Sequence, residues 1–452
     1  RPRPLRRSSP YSTCWGRWPR RTCRVTAPRS PSEVAAAAAL GPSAIARGLG
    51  RAYGDAAMNP EGTLSTRHLD RVLAFDPATG RLEAEAGLSL GAIVETFLPR
   101  GFFLPVTPGS RFVTLGGALA ADVHGKNHHG AGSFADHVEW ADLLGPDGAV
   151  RRVAPGDGLF ELTAGGMGLT GVILALALRL MPVESAWIRQ ETVVAPDLDA
   201  AIAAFEANLD VPYSVAWIDC LATGAARGRS LVHLGRHATP ADLDPARAAA
   251  PLDWPAKRAL AVPLDAPSWA LNSLSVRAFN ALYWRAGRRG AGAPRIVGWE
   301  GYFYPLDAIR GWNRIYGRRG FAQYQCAVPL GASRDALAGM LDAIAAAGLG
   351  SFLAVLKRFG PGAPDRPLSF PIEGYTLALD FPLTGAALTL MDRLDEITEA
   401  AGGRLYLAKD SRMTERSLEA GYGAALARFR AARAEAAGPL AFSSLMARRL
   451  GL

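Results

Sequence analysis

The chain has few lysines, few cysteines and no long apolar run, and each shortage excludes something. No window reaches the roughly 18–20 uninterrupted apolar residues that a membrane-crossing helix needs, so none is expected; the apolar stretch 172–181 is too short and reads as a buried strand. The four cysteines, Cys14, Cys23, Cys220 and Cys326, form no CxxC pair and no metal-ligand spacing. Isolated cysteines make no disulfide framework, which favours a reducing compartment. The segment 1–30 holds no apolar stretch, so it reads as neither a secretory nor a twin-arginine signal. Lysine is the most telling shortage. Of 50 basic residues only four are lysines: Lys126, Lys257, Lys357 and Lys409. Arginine is a rigid, permanently charged fork and lysine a compact, mobile charge with a tunable pKa. A lysine in a chain that otherwise writes positive charge as arginine therefore invites scrutiny.

The net charge of +9 looks at first like a nucleic-acid signal. However, Arg1, Arg3, Arg6, Arg7, Arg17, Arg20, Arg21, Arg24 and Arg29 precede the first acid, Glu33, and removing these nine of the 50 basic residues leaves 41 against 41 acidic ones. The basicity belongs to the segment 1–30, read as a disordered tail, and no nucleic-acid partner is expected of the fold. At 452 residues and 49% hydrophobic, the chain is long enough for two domains with sizeable cores.

Helical spacing predicts short helices over residues 32–40 and 90–98, the second opened by Ser89, and longer ones over 198–209, 335–347 and 386–401. Alternation predicts strands over 81–88, 140–144, 149–153, 211–221, 351–357 and 404–407, with Gly145-Pro-Asp-Gly148 a turn between the second and third. The texture changes near residue 184, from glycine-rich turns to helices alternating with antiparallel-looking strands. An α+β fold follows. Between Asp265 and Glu300 lies an acid-free stretch holding Trp269, Phe279, Tyr283, Trp284 and five arginines.

Two glycine-rich segments, residues 47–59 and 108–129, carry the chemistry. Gly48-Leu-Gly-Arg-Ala-Tyr-Gly54 is not the dinucleotide fingerprint, which needs its third glycine one residue earlier. Such a run still lets consecutive backbone N–H groups turn inward as an anion nest. The second segment brings another close backbone approach and runs into a histidine cluster, His124, His128, His129 and His137. A zinc reading fails for want of a cysteine or paired carboxylate at standard spacing, and no metal is expected.

GLGRAYGD (48–55), PGSRFVTLGGALAADVHGKNHHGAGSF (108–134) and GGMGLTGV (165–172) together resemble the FAD-binding domain of the vanillyl-alcohol oxidase type. From about residue 15 to 452 the chain is similar to the family of decaprenylphosphoryl-β-D-ribose 2′-epimerase oxidase subunits. GFAQYQCAVPL (320–330), SFLAVLKRFGPG (351–362), GYTLALDFPL (374–383), RLYLAKDSR (404–412) and FSSLMARRLGL (442–452) carry that resemblance in order and spacing. It implies an FAD-binding domain of residues 31–188 plus 404–452, and a substrate-binding domain of antiparallel sheet and helices over 189–403.

The resemblance also implies site residues. FAD contacts are expected from Ala46, Arg47, Gly48, Leu49, Gly50, Arg51, Ala52, Tyr53, Gly54, Asp55, Ala56 and Ala57, and from Gly109, Thr114, Leu115, Gly116 and Gly117. His124, Gly125, Lys126, Asn127, Ile173 and Tyr406 complete that set. Some relatives attach flavin through a histidine where this chain has Arg51, so the FAD is expected to be non-covalent. Catalytic roles fall to Lys409, Tyr406 and His124. The sugar-phosphate pocket is expected from Lys126, Gln325, Lys357, Phe359, Ala378 and Lys409, with Phe303 and Trp312 as apolar walls. Ala378 stands where mycobacterial members carry a cysteine that nitroaromatic inhibitors capture.

The implied reaction is FAD-dependent oxidation of the 2′-hydroxyl of a polyprenyl-phosphoryl ribose to the 2′-ketone. A separate NADH-dependent reductase completes the epimerisation towards an arabinosyl donor for cell-wall polysaccharide. The protein is expected at the membrane periphery, on the cytoplasmic or the periplasmic side, with the Trp269–Arg295 stretch as a contact with lipid. An aldonolactone or alditol oxidase acting on a soluble sugar is the rival enzyme, and a non-catalytic lipid- or nucleic-acid-binding protein the rival of another class.

Overall fold

The structure, a computed structural model, describes residues 11–255, 260–267, 272–351 and 353–452. Lys257 and Trp269 lie outside the described residues.

Two antiparallel sheets and a small parallel one organise the chain. The largest has eight strands, in the order Arg295–Gly298, Trp187–Ala195, Ser230–His237, Tyr213–Ile218, Val355–Phe359, Gly374–Pro382, Phe321–Pro329 and Arg404–Leu405. The second has five, with Val172–Arg179 between Val138–Leu144 and Arg81–Glu85. Val172–Arg179 is buried on both faces up to Leu178, which explains its unbroken apolar run. Ile45–Arg47 and Val25–Thr26 flank Thr63–Ser65 in parallel and launch the first glycine loop.

Side chains alternate across a strand, so each central strand of the large sheet splits into two faces. Ala322, Tyr324, Cys326 and Val328, with Leu377, Leu379 and Phe381, pack against the helices Leu330–Ala347, Gly385–Ala400 and Glu415–Glu435. Gln323, Gln325, Lys357, Ala378 and Asp380 therefore stand on the opposite face. The register sets Gln325 beside Ala378 and Gln323 beside Asp380.

Several helix ends follow their capping chemistry. Ser89 accepts from Ala92 N and opens Leu90–Phe97. The first helix, Pro31–Ala38, is capped by Ser30 rather than starting at residue 32, because its oxygen accepts from Glu33 N and Pro31 takes a position where no N–H is required.

The tail expectation is corrected over residues 11–30. Strand Tyr11–Thr13 pairs with Arg20–Thr22, and Cys14 and Cys23 are buried against Met58. Trp15 and Gly16 donate to the carbonyls of Ala52 and Tyr53, both at 3.0 Å. A Cβ on Gly16 would stand 2.5 Å from the Phe321 carbonyl oxygen. The arginines dominated the composition and hid a few apolar residues set at packing positions.

Candidate functional site

A cavity of about 320 Å³ lies between the glycine loops and the polar face of the large sheet. On the loop side its wall includes Ala46, Gly48, Leu49, Gly50, Arg51, Ala52, Tyr53, Ala56 and Ala57, then Gly109, Thr114, Gly116, Gly117, His124 and Ile173. Gln325, Lys357, Ala378, Tyr406 and Lys409 close it from the sheet side. The first glycine loop and the segment around Lys409, from opposite ends of the chain, thus meet around one space.

The walls suit an extended dinucleotide. Gly50 adopts a left-handed φ of +67°, and a Cβ on Gly48 would strike Thr114 Oγ1 at 2.3 Å. A Cβ on Gly109 would meet nothing within 4 Å, so the bare backbone there faces open cavity. Among the described residues, the amides of Leu49, Gly50 and Arg51 have no backbone acceptor, as an anion-binding nest requires. Thr114 caps Leu115–Ala120 through Gly117 N, which aims the start of that helix at the same space.

Nine of the expected residues are not on the wall, Phe303 among them. Leu115 is buried core, and Gly54 packs so closely that a Cβ would fall 1.9 Å from the Asp410 carbonyl oxygen. Asp55 pairs with Arg449 at 2.8 Å, and Arg449 reaches Asp410 at the same distance. Arg47 is half-buried and donates to the Ala57 carbonyl. Asn127 donates to the Pro105 carbonyl at 2.7 Å, and a Cβ on Gly125 would crowd the Asn127 side chain. Phe359 sits behind the wall, its ring 4.7 Å from that of His124. Lys126 is capped by the Tyr302 carbonyl and lies over the Tyr302 ring at 4.3 Å. These residues shape the site from behind. Of the two expected apolar walls, Trp312 lines the cavity, whereas Phe303 belongs to a buried aromatic cluster with Phe103 and Tyr213.

Three of the chain's four lysines converge here. Burial pushes Lys126 down to about 7, and burial together with repulsion from Lys409 and Lys126 brings Lys357 to about 7. Among the described residues, none of the three closes an ion pair with a carboxylate. A group of buried cations without a partner is costly unless an anion arrives. Lys409 lies 3.7 Å from the centroid of the Tyr53 ring; burial lowers it and the nearby Asp380 carboxyl raises it again. Asp380 is buried, accepts from Gln323 Nε2 at 2.5 Å, and has an Oδ2 without a partner among the described residues.

His124 is the second chemical group. Burial and the facing lysines hold it well below the usual histidine range, so it is neutral. Its Nε2 meets Gln325 Nε2 at 3.1 Å, and its Nδ1 finds no partner among the described residues. Tyr406 donates to the Ala121 carbonyl at 2.9 Å and stacks on Phe370, so its hydroxyl is already engaged. Two other histidines are occupied elsewhere, His129 at the Val211 carbonyl and His137 at that of Ala131.

Trp15, Gln323, Asp307 and Val355 also line the cavity, and Asp380 stands behind it; no sequence argument had singled them out. Gln323 and Asp380 were within reach of the alternation rule, which sets them on the same face as Gln325 and Ala378. Trp15 was masked by the arginines around it.

Residues 24–154 match the family described as an FAD binding domain. The chain is 37% identical to the decaprenylphosphoryl-beta-D-ribose oxidase of Mycolicibacterium smegmatis, over 90% of each chain. The chain belongs to the decaprenylphosphoryl-beta-D-ribose oxidase family. As the family implies, it is an FAD-dependent oxidoreductase. A Streptomyces coelicolor protein of uncharacterized function is 40% identical across 81% of this chain and all of its own. A probable L-gulonolactone oxidase of Arabidopsis thaliana is 29% identical over only 27% of this chain and 23% of its own.

Proposed function

We propose that this enzyme oxidises the 2′-hydroxyl of a polyprenyl-phosphoryl ribose to the 2′-ketone, with FAD held non-covalently. The observation that carries the reading is the meeting of Lys126, Lys357 and Lys409 without a carboxylate partner among the described residues, beside the glycine-loop cavity. Bound FAD supplies a two-electron acceptor for the carbinol hydride. Lys357, with Lys126 behind it, receives the phosphodiester through charge-assisted hydrogen bonds. Lys409 holds a fixed cation against the cavity wall, where it stabilises negative charge without reorganisation. His124, neutral and accepting from Gln325 through Nε2, carries its proton on Nδ1 and would donate it to a sugar oxygen. Arg51 has no nucleophilic atom with which to bind flavin covalently.

The product would retain its lipid and phosphate, so a separate NADH-dependent reductase is the partner that completes an epimerisation. The rival, an aldonolactone or alditol oxidase, is supported by the FAD-domain relative alone and leaves the lysines without a purpose. Turnover should require the phosphate: a ribose lacking it should act at least 100-fold more weakly, and Lys357→Ala should abolish the difference. Equal turnover of the two sugars by the unaltered enzyme favours the rival.

A further inference from the structure

His124 sits on a closed loop whose two ends share one arginine. The loop leaves the helix Leu115–Ala120 through Asp122, whose φ of +38° is a backbone state that residues other than glycine seldom adopt. It returns at Phe134, which donates to the Val123 carbonyl at 2.9 Å, and His124 pairs with Ser133 across it. At the outgoing end the Asp122 carboxylate is fully buried. It accepts from the Ala135 amide at 3.1 Å and from the Ser369 hydroxyl at 2.6 Å. At the returning end Asp136 accepts from the Ser133 amide at 2.7 Å. Arg366 lies buried between the two carboxylates. It meets Asp136 at 2.7 Å, Glu161 of the helix Gly158–Thr163 at 3.2 Å, and Asp122 at 3.5 Å.

The same arginine begins the turn that backs the rings of the site. Its carbonyl accepts from the Ser369 amide at 3.1 Å, and Ser369 then gives its hydroxyl to Asp122. Phe370, next along, stacks on Tyr406 at 4.5 Å and faces His124 at 5.6 Å. Tyr406 in turn donates to the carbonyl of Ala121, the residue before Asp122. The loop and the ring stack are thus tied together through Arg366, which does not itself line the cavity.

We propose that Arg366 is a positioning residue for the oxidation: by holding Asp122 and Asp136 it fixes the loop that aims His124 at the substrate. Buried ion networks seldom outdo apolar packing in stability, which points to the pose of the loop as the reason for this one. The proposal rests on the reading that His124 meets a sugar oxygen. Asp122 must stay ionised, since a protonated carboxyl would present a donor where Ala135 and Ser369 already donate. Burial raises its pKa, Arg366 lowers it, and Asp136 raises it again. Glu161 and the Tyr406 hydroxyl also face this space.

Stopped-flow flavin reduction of the holoenzyme by a farnesyl-phosphoryl ribose, from pH 6 to 9, tests the proposal. The variants are Arg366→Gln, Arg366→Lys and the double variant Arg366→Gln/Asp122→Asn. Arg366→Gln should keep its FAD and lower the limiting rate at least about tenfold. Its half-saturating substrate concentration should change little, because Lys357 still holds the phosphate. Without the guanidinium Asp122 takes up a proton at higher pH, so the loss should deepen towards pH 6. Asp122→Asn in the same background should remove that added pH dependence, and Arg366→Lys should restore the ordinary profile. Melting temperature gives a second readout. A carboxyl with a raised folded pKa costs stability as pH rises. Relative to the unaltered protein, Arg366→Gln should therefore melt progressively lower from pH 5 to 8, and the double variant should not. Should Arg366→Gln fail to fold, Ser369→Ala carries the test, with a loss of about threefold or more in the limiting rate. An unaltered rate in the variant tested, or an Arg366→Gln loss of equal size at every pH, overturns the proposal. His124→Ala, measured beside it, separates the two readings. Full-rate reduction there sinks the role of His124 and the proposal with it, whereas a slow His124→Ala beside a full-rate Arg366→Gln overturns the proposal alone.

Discussion

The ammonium of Lys409 lies 3.7 Å from the centroid of the Tyr53 ring, held at the end of the cavity by an aromatic face rather than by a carboxylate. The contact keeps the charge desolvated, while the nearby Asp380 carboxyl favours its protonated form, and a fixed cation so placed acts strongly. Lys409→Ala should retain FAD and its yellow colour yet lose on the order of 10²–10³ in flavin reduction by substrate. Stopped-flow reduction checks this; an unaltered rate would remove Lys409 from the chemistry.

Asp380 should set the alkaline limit of the reaction. Its buried carboxyl raises Lys409 against the effect of burial. In Asp380→Asn the lysine would lose its proton at lower pH, so the alkaline limb of kcat/KM should move to lower pH while the acid limb stays. A merely structural role would lower activity equally at every pH.

Lys357 should cost stability at neutral pH. Its folded pKa, about 7, lies below the ordinary 10.5, so the folded state binds fewer protons than the unfolded state between those values. Stability from this group therefore rises with pH across that window, and the penalty is full below about 7. Lys357→Met should raise the melting temperature at pH 6 and do so much less at pH 10. A shift of equal size at both would show that packing, not charge, is responsible.

Arg449 joins the first glycine loop to the C-terminal segment through Asp55 and Asp410, both almost fully buried. Arg449→Ala would strand two buried carboxylates at a cost on the order of 3 kcal/mol. Melting temperature and FAD retention during gel filtration should both fall. Unchanged FAD retention would mean that the loop holds its shape without the arginine.

Gly54 and Gly109 should behave differently on gaining a methyl group. At Gly54 the Cβ collides with backbone, so Gly54→Ala should fold poorly. At Gly109 it enters open cavity, so Gly109→Ala should fold normally and bind FAD more weakly. Circular dichroism and flavin titration separate the two; equal damage in both would contradict the placement of the cofactor.

Much of this was legible in the sequence, for physical reasons. Glycine runs announce close backbone approach, alternation fixes which strand residues share a face, and the scarcity of lysine drew attention to Lys357 and Lys409. Distance along the chain hid the rest. Asp55 and Asp410 share Arg449 only because the last helix returns to the first loop. Lys126 looked like a wall residue until the Tyr302 carbonyl was seen to cap it. Trp15 and the buried cysteines beside it were lost among arginines, because composition averages over residues whereas packing depends on individual positions.

The most direct test of the account is anaerobic reduction of the purified flavoprotein by a farnesyl-phosphoryl ribose, with free ribose and an aldonolactone in parallel. Loss of the yellow absorbance with the phosphoryl-ribose alone is the predicted result. Bleaching by the free sugar or the lactone, with none by the phosphoryl-ribose, would contradict it.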